Sequence, residues 1–311
     1  MPMRIAVMGA GAVGGYYGAL LARAGCDVTF IARGPHLAAI REHGLHIKSY
    51  FGDFALNPVR ATDDPSRIGQ VDLVFLAVKG YDLDQAARAI RPLVAGDTVV
   101  LTLQNGVDAA QRTAAVVGAE HVMAGVTYVY SAIKRPGVIE QTSSFQRIVF
   151  GELNGVRTAR AEAVLEVLKT TGATIQLSTD IRRELWGKFM LMAALGGVCS
   201  VVRLPVGRFR DVPETRWLLA TCIREVFAVG LAMGIQFAAD EVEQKLHVVD
   251  GLDPDSVVSM QRDMMAGRRF ELESLVGVVV RYGQELGIST PVNRFIYATL
   301  KPCFLKAQCM P

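Results

Sequence analysis

The chain has 311 residues, of which 51% are hydrophobic and 20% charged, so a large buried core is expected and global disorder is excluded. A net charge of +3 is too small for a nucleic-acid binder and gives no polybasic membrane patch. The five cysteines and five histidines lack the spacing of a metal site. We therefore expect free thiols in a reducing cytoplasm, no metal, and neither a nucleic-acid nor a membrane partner.

A strand, a glycine turn and a helix open the chain. Residues 4–8 form a short apolar run typical of a buried strand, and apolar periodicity typical of a helix continues from 13 to 24. In the GxGxxG turn between them, the first glycine permits a tight bend. The second leaves room for a pyrophosphate, and the third lets the helix pack on the strand. The alternative is a glycine-rich turn of some other α/β protein, but a second strand follows at the expected distance. We predict a dinucleotide-binding loop formed by Gly9, Ala10, Gly11, Ala12, Val13 and Gly14.

Strands and helices alternate up to about residue 179. We predict strands at 27–32, 73–78, 98–103, 121–126, 138–141, 147–151 and 174–177, with an inserted stretch of short strands at 46–59. Continuous apolar strands separated by helices indicate a parallel sheet covered on both faces. The fold class predicted for residues 1–179 is an α/β Rossmann domain.

Long helical periodicity replaces this alternation from residue 180 onward. We predict helices beginning near 180, at 213–234, at 253–267 with Asp253 as the cap, at 271–286, and from 290 onward. Residues 189–202 are the most apolar segment, and we interpret them as a core helix. Residues 180–311 are thus predicted to form an all-helical domain, with the chemistry in the cleft between the two domains. Its apolar surface permits a homodimer.

The end of the second predicted strand indicates which nicotinamide cofactor binds. A NAD-selective site would carry a carboxylate there for the ribose 2′-hydroxyl, whereas this chain has Arg33. A guanidinium suits a 2′-phosphate, because it binds the phosphate in a bidentate manner. The alternative is a solvated arginine in a loop. We predict NADPH as the cofactor.

Polar side chains that could carry the chemistry follow two strands or lie in the helical half. Lys79 and Asn105 end strands, although a solvated lysine and an ordinary Asn-Gly turn are the simpler interpretations. Lys188 opens the apolar run of its helix, so partial burial would lower its pKa and favour proton donation. Its alternative is a surface ion pair with the residue four positions earlier. Ser259 shares a helical face with Asp263, and Glu271 starts the next predicted helix, where the helix dipole alone favours a carboxylate.

Taken together, these motifs resemble the ketopantoate reductase family (2-dehydropantoate 2-reductases) nearly end to end. The resemblance implies NADP-dependent reduction of ketopantoate to pantoate, a step of pantothenate biosynthesis. It is carried by the glycine motif, Val78-Lys79, Gln104-Asn105-Gly106, Glu184-Leu-Trp-x-Lys188, and Ser259-Met-x-x-Asp263 with Gly267-Arg268 and Glu271.

The resemblance also implies roles for individual residues. Lys188 would be the general acid that protonates the carbonyl oxygen as hydride arrives, and Glu271 would hold the lysine and the substrate hydroxyl. Asn105 would lie near the nicotinamide and the substrate. The remaining roles would be positioning of cofactor and substrate by Lys79, binding of the substrate carboxylate by Ser259, and binding of the 2′-phosphate by Arg33.

The sequence departs from the family pattern on the lysine helix. Two asparagines that contact the substrate are replaced by Met192 and Gly196, and a further asparagine after Glu271 is replaced by Val276. These changes remove hydrogen bonds and make the pocket wider or more apolar, so selectivity for a hydroxylated substrate should fall. One alternative is therefore a D-2-hydroxyacid dehydrogenase-like reductase for a more apolar 2-oxo acid. A remote alternative is a non-catalytic NADPH-binding sensor.

Overall fold

The computed structural model describes residues 3–309, which divide into two compact units. The first unit comprises residues up to Gln104 together with Asp108–Ile181, and the second comprises Asn105–Val107 and residues from Arg182 onward. The three-residue segment Asn105–Val107 therefore belongs to the second unit although it lies within the sequence of the first. The α/β character of the first unit and the helical character of the second agree with the predicted fold class.

An eight-stranded sheet forms the centre of the first unit. Its strand order is β12-β11-β8-β7-β6-β1-β2-β5, and every pairing is parallel except that of β11 with β8. The strand order reverses at β1, so the loops after β1, β2 and β6 emerge side by side at one edge. These strands are β1 Arg4–Met8, β2 Asp27–Ile31, β5 Arg60–Thr62, β6 Leu73–Leu76, β7 Val99–Thr102, β8 Val122–Tyr128, β11 Arg147–Gly151 and β12 Thr174–Leu177.

A smaller four-stranded sheet belongs to the same unit, with the order β4-β3-β10-β9. It contains the short strands predicted within 46–59, namely β3 Leu45–Ser49 and β4 Phe54–Leu56, and adds β9 Ser131–Arg135 and β10 Val138–Gln141. β10 was predicted as a further strand of the domain, and the structure assigns it to this second sheet. The helices of the first unit are α1 Ala12–Arg23, α2 Gly34–His43, α3 Leu83–Ala89, α4 Ala109–Val117 and α5 Ala159–Lys169.

In the part of the second unit that the structure describes, up to residue 309, six α-helices surround one apolar core. They are α6 Ile181–Val202, α7 Pro213–Ala232, α8 Glu241–Asp250, α9 Ser259–Met265, α10 Val278–Leu286 and α11 Pro291–Gln308. A π-helical segment, Glu273–Gly277, precedes α10. Within residues 3–309, α6 is the one helix long and apolar enough to cross a membrane by length and composition. Its most apolar stretch is 61% buried in the protein, which is the behaviour of a core helix.

The helix predicted from Asp253 to Gly267 was wrong in its first half. The Asp253 carboxylate accepts a hydrogen bond from the Asp255 amide at 2.8 Å, so the aspartate closes a turn instead of capping a helix. The carbonyls of Pro254 and Ser256 then accept hydrogen bonds from the backbone of residues 206–207. The helix begins only at Ser259. The preceding helix, α8, was missed because its sequence is mostly polar.

A buried carboxylate ties α7 to the start of α11. Glu225 is only 7% exposed, and it accepts hydrogen bonds from the Val292 amide at 2.9 Å and from the Asn293 amide and side chain at 2.9 and 2.7 Å. These donors include backbone amides that have no partner inside the helix. A carboxylate at this point is also favoured by the helix dipole. Glu225 is therefore a structural residue of the second unit.

Candidate active site

The turn after β1 has the geometry that the glycine motif predicts. Gly9 has a φ of +97°, and a Cβ there would lie 2.9 Å from the backbone nitrogen of Val78. A Cβ on Gly14 would overlap the carbonyl oxygen of Gly9 and lie 2.9 Å from the Cβ of Ala77. Both glycines are thus required by close packing of the turn and of α1 against the loop after β6.

Gly11 differs from Gly9 and Gly14 because packing against other protein atoms does not require a glycine at this position. A Cβ at Gly11 would meet no heavy atom within 4 Å. Gly11 caps α1 without a side-chain hydrogen bond, and the first turn of the helix contains no acidic residue. The helix start, which includes Ala12 and Val13, therefore presents backbone amides and a positive dipole end to open space. This surface fits the pyrophosphate of a dinucleotide.

A histidine that the sequence did not single out fixes this loop. The Nδ1 atom of His36 accepts a hydrogen bond from the Gly137 amide at 3.1 Å, so Nε2 carries the proton and donates to the Ala10 carbonyl at 2.8 Å. Burial lowers the pKa of His36, which favours this neutral form. Histidine has no periodic signature in a sequence, and its partners lie 26 and 101 residues away, so only the fold identifies it.

Arg33 lies where the sequence placed it, directly after β2 and at the N-cap of α2. Its guanidinium forms an ion pair with the carboxylate of Asp82, with 2.5 Å between Nη2 and Oδ2. The Arg33 side chain is 72% exposed and that of Asp82 is 15% exposed. No carboxylate follows β2 in the sequence, and the fold supplies one, Asp82, from the loop after β6.

Lys79 and Gln104 belong to the loops after the two neighbouring strands. Lys79 comes three residues after β6 and caps the short 3₁₀ turn Gly80–Asp82. The side-chain amide of Gln104 donates to the carbonyls of Leu76 and Val78 at 2.9 and 3.2 Å. This amide therefore braces the segment that leads to Lys79.

The second unit brings Lys188, Asn105 and Glu271 together. The Nζ atom of Lys188 donates a hydrogen bond to Oδ1 of Asn105 at 2.8 Å. Burial lowers the pKa of Lys188 from its usual 10.5 to about 8, and the negative charge of Glu271, which is 4% exposed, opposes that fall. The structure therefore contains a partly buried ammonium group that can give up its proton near neutral pH.

Apolar groups cover the face of α6 that continues from Lys188. Met192 is half-buried one turn further on, and Gly196 is buried. A Cβ at Gly196 would lie 3.3 Å from the sulfur of Met260 and 3.4 Å from Cδ1 of Leu275. The missing side chain at Gly196 thus leaves no opening, because Met260 and Leu275 fill the space. The contact of Met260 with Gly196 could not be predicted, because in a sequence a methionine at this position looks the same as any methionine of the core.

Two further predicted residues are the sequence neighbours of Met260 and Leu275. Ser259 is the first residue of α9 and is partly buried. Val276 is fully buried in the π-helical segment, where it packs against Gly197. Asp263 forms an ion pair with Arg268 at 2.8 Å, which stabilises the turn that leads to Glu271.

The two units contain different chemical groups. The first has a loop and helix start suited to a diphosphate, with an arginine at the end of β2. The second has an ammonium group with a lowered pKa and a carboxylate that keeps it protonated. Among residues 3–309, no cluster of three or more histidine, cysteine or acidic side chains could hold a metal ion. Acid catalysis by a lysine is the chemistry that these groups support.

Comparison with known proteins identifies the family. The family model for ketopantoate reductase PanE/ApbA matches residues 5–155, and the model for its C-terminal part matches residues 180–303. The uncharacterised oxidoreductase YkpB of Bacillus subtilis is 30% identical, over 96% of this chain and 98% of that protein. A 2-dehydropantoate 2-reductase of Archaeoglobus fulgidus is 33% identical over 94% of each chain.

Solved structures agree with these matches. A PanE/ApbA family ketopantoate reductase from Ralstonia eutropha has a TM-score of 0.91 and 32% identity, covering 98% of this chain and 100% of that one. A D-mandelate dehydrogenase solved with NADH shares the fold at 23% identity and a TM-score of 0.89, covering 99% of this chain and 100% of that one. The chain therefore belongs to the ketopantoate reductase PanE/ApbA family and is an oxidoreductase of the Rossmann type.

Proposed function

We propose that this protein is an NADPH-dependent 2-dehydropantoate 2-reductase that converts ketopantoate to pantoate for pantothenate biosynthesis. The observation that carries the proposal is the environment of Lys188. Its pKa of about 8 lets it remain largely protonated at neutral pH and still release its proton readily. The family membership supports the same activity.

The open surface at Gly11 and the start of α1 fits the pyrophosphate of the cofactor. Arg33 would bind the 2′-phosphate, and Lys79 would position the cofactor and substrate. When bound, the reduced nicotinamide supplies the hydride that adds to the carbonyl carbon of the 2-oxo acid. These assignments make the first unit the cofactor-binding part of the enzyme.

The residues of the second unit would control the proton. Hydride addition turns the carbonyl oxygen into an alkoxide, and the ammonium group of Lys188 stabilises that charge and then protonates the oxygen. Asn105 holds Nζ through its amide oxygen without neutralising the ammonium charge. Glu271 favours the protonated lysine and would also bind the substrate hydroxyl, while Ser259 would bind the substrate carboxylate.

The direct test is the loss of NADPH absorbance when the purified protein is mixed with ketopantoate. We expect turnover with this substrate and a much lower kcat/KM with NADH. Absence of turnover at high enzyme concentration would refute the proposal. If NADPH binds but no 2-oxo acid causes its oxidation, the protein is instead a non-catalytic NADPH-binding sensor.

A second candidate is a related reductase for a more apolar 2-oxo acid. It is favoured by Met192, an apolar side chain that is half-buried on α6 one turn after Lys188. Such a side chain offers no hydrogen bond to a substrate hydroxyl, so the site would not select strongly for a hydroxylated 2-oxo acid. A panel of branched and aromatic 2-oxo acids separates the candidates. A kcat/KM for ketopantoate that exceeds all others by orders of magnitude would exclude the second.

We also propose that the enzyme acts in the cytoplasm. The five cysteines are free thiols in the structure, which suits a reducing compartment. The relatives named as 2-dehydropantoate 2-reductases support a metabolic role with a small 2-oxo acid as the partner.

A further inference from the structure

The ion pair between Arg33 and Asp82 joins two loops of the first unit at the reversal of strand order. Arg33 follows β2, and Asp82 ends the 3₁₀ turn after β6. These strands lie on opposite sides of β1, whose own loop carries the glycine motif. The Asp82 side chain is 15% exposed while that of Arg33 is 72% exposed, so the carboxylate is the fixed member of the pair and the guanidinium the more accessible one.

We propose that Asp82 is a cofactor-selectivity residue that weakens the preference for NADPH over NADH. This inference rests on the proposed function, in which Arg33 binds the 2′-phosphate. A phosphate that reaches the guanidinium comes close to the Asp82 carboxylate, and two negative groups repel each other. A ribose 2′-hydroxyl in the same position can instead donate a hydrogen bond to that carboxylate. Arg33 favours the phosphate and Asp82 favours the hydroxyl.

The competing effects differ in size. Breaking an ion pair whose arginine is largely exposed costs little, because water screens the charges. Repulsion between a carboxylate and a phosphate that share one guanidinium acts at short distance and is less screened. Replacing Asp82 with a neutral residue of the same size should therefore strengthen NADPH binding and weaken NADH binding. We expect the ratio of the two dissociation constants to shift by about tenfold toward NADPH, given the strength of close charge pairs near a protein surface.

The test measures binding rather than turnover. The full-length protein is titrated with NADPH and with NADH, and the fluorescence of the nicotinamide gives both dissociation constants. Competition with 2′,5′-ADP and with 5′-AMP isolates the contribution of the 2′-phosphate. The variants are Asp82→Asn and, in case that variant does not fold, Asp82→Ser.

Asp84→Asn is the matched control. Asp84 lies two residues further on, on α3, and is paired with Arg112 at 2.8 Å. The Asp84→Asn substitution removes the same charge from the same region without changing the partner of Arg33. We expect Asp84→Asn to leave the NADPH to NADH ratio within about twofold of the wild type, because exposed ion pairs contribute little.

The outcomes are distinguishable. A shift toward NADPH in the Asp82 variants alone supports the inference. An unchanged ratio, or a shift toward NADH because Asp82 orients Arg33 for the phosphate, overturns the inference and leaves the proposed function intact. If the wild type binds neither dinucleotide, the proposed function fails and the inference fails with it.

Discussion

Replacing Glu271 with glutamine should change the pH dependence of catalysis in a defined direction. Burial has lowered the pKa of Lys188 to about 8, and the charge of Glu271 has kept it from falling further. Glutamine retains the size of the side chain and removes the charge. The pKa of Lys188 should therefore fall, and the enzyme should lose the protonated lysine, its proposed general acid, at a lower pH.

The size of the effect follows from the pKa of Lys188. With a pKa of about 8, the lysine is roughly 90% protonated at pH 7 and about 10% protonated at pH 9. Loss of a nearby opposite charge typically lowers a lysine pKa by about one unit or more. For a fall of about one unit, kcat for reduction should drop about fivefold at pH 8 beyond any constant effect, and hardly at all at pH 6.

The assay is the kcat for NADPH oxidation at saturating substrate, measured from pH 6 to about pH 9.5 at constant ionic strength. Glu273→Gln is the matched control, because Glu273 is an exposed carboxylate two residues away that is hydrogen bonded to Tyr297 at 2.9 Å. Its profile should match that of the wild type. If kcat of Glu271→Gln falls by one constant factor at every pH, then Glu271 does not set the protonation of Lys188, and the reasoning is refuted.

Lys188→Ala should lower kcat by a factor on the order of hundreds or more and leave the NADPH dissociation constant nearly unchanged. Steady-state kinetics with a cofactor titration would check this, and an unchanged kcat would remove the lysine from the mechanism. Gly14→Ala should lower the melting temperature, because its Cβ would overlap the carbonyl oxygen of Gly9, whereas Gly11→Ala should melt like the wild type and bind NADPH more weakly. If the two substitutions change the NADPH affinity and the melting temperature to the same extent, the assignment of the pyrophosphate to Gly11 is contradicted. Glu225→Ala should reduce the free energy of unfolding by about 3 kcal/mol, since buried donors at the start of α11 lose a charged acceptor; urea unfolding measures it, and a loss below about 1 kcal/mol would argue against this role.

Local patterns in the sequence were sufficient for the elements that depend on local physics. Buried parallel strands such as β6 are continuous apolar runs, and helices such as α7 and α11 begin at prolines, which are favoured in the first turn of a helix. The glycine turn was predictable because backbone conformation and close packing leave few alternatives to glycine. Lys188, Asn105 and Glu271 could be named from motifs, although their roles remain predictions.

Long-range contacts could not be predicted in this way. Asp82 reaches Arg33 across 49 residues, and nothing in the sequence near either residue indicates the other. Histidine and methionine also occur in ordinary packing, so the sequence alone does not single out His36 or Met260. Asp253 has the local features of a helix cap, but hydrogen bonds from residues 206–207 hold the following backbone in another conformation. In each of these cases the decisive partner comes from a distant part of the chain.

The lowered pKa of Lys188 also has a thermodynamic consequence for the folded state. Between about pH 8 and pH 10.5 the unfolded chain binds a proton at this lysine that the folded chain has released, so this residue makes stability rise with pH over that range. Below pH 8 the ammonium group costs about 3 kcal/mol of folding free energy. Lys188→Met should therefore be more stable than the wild type at pH 7, and the difference should shrink toward pH 10.5 in urea unfolding. A selection for thermal stability alone would favour loss of this lysine and, with it, loss of the proposed general acid.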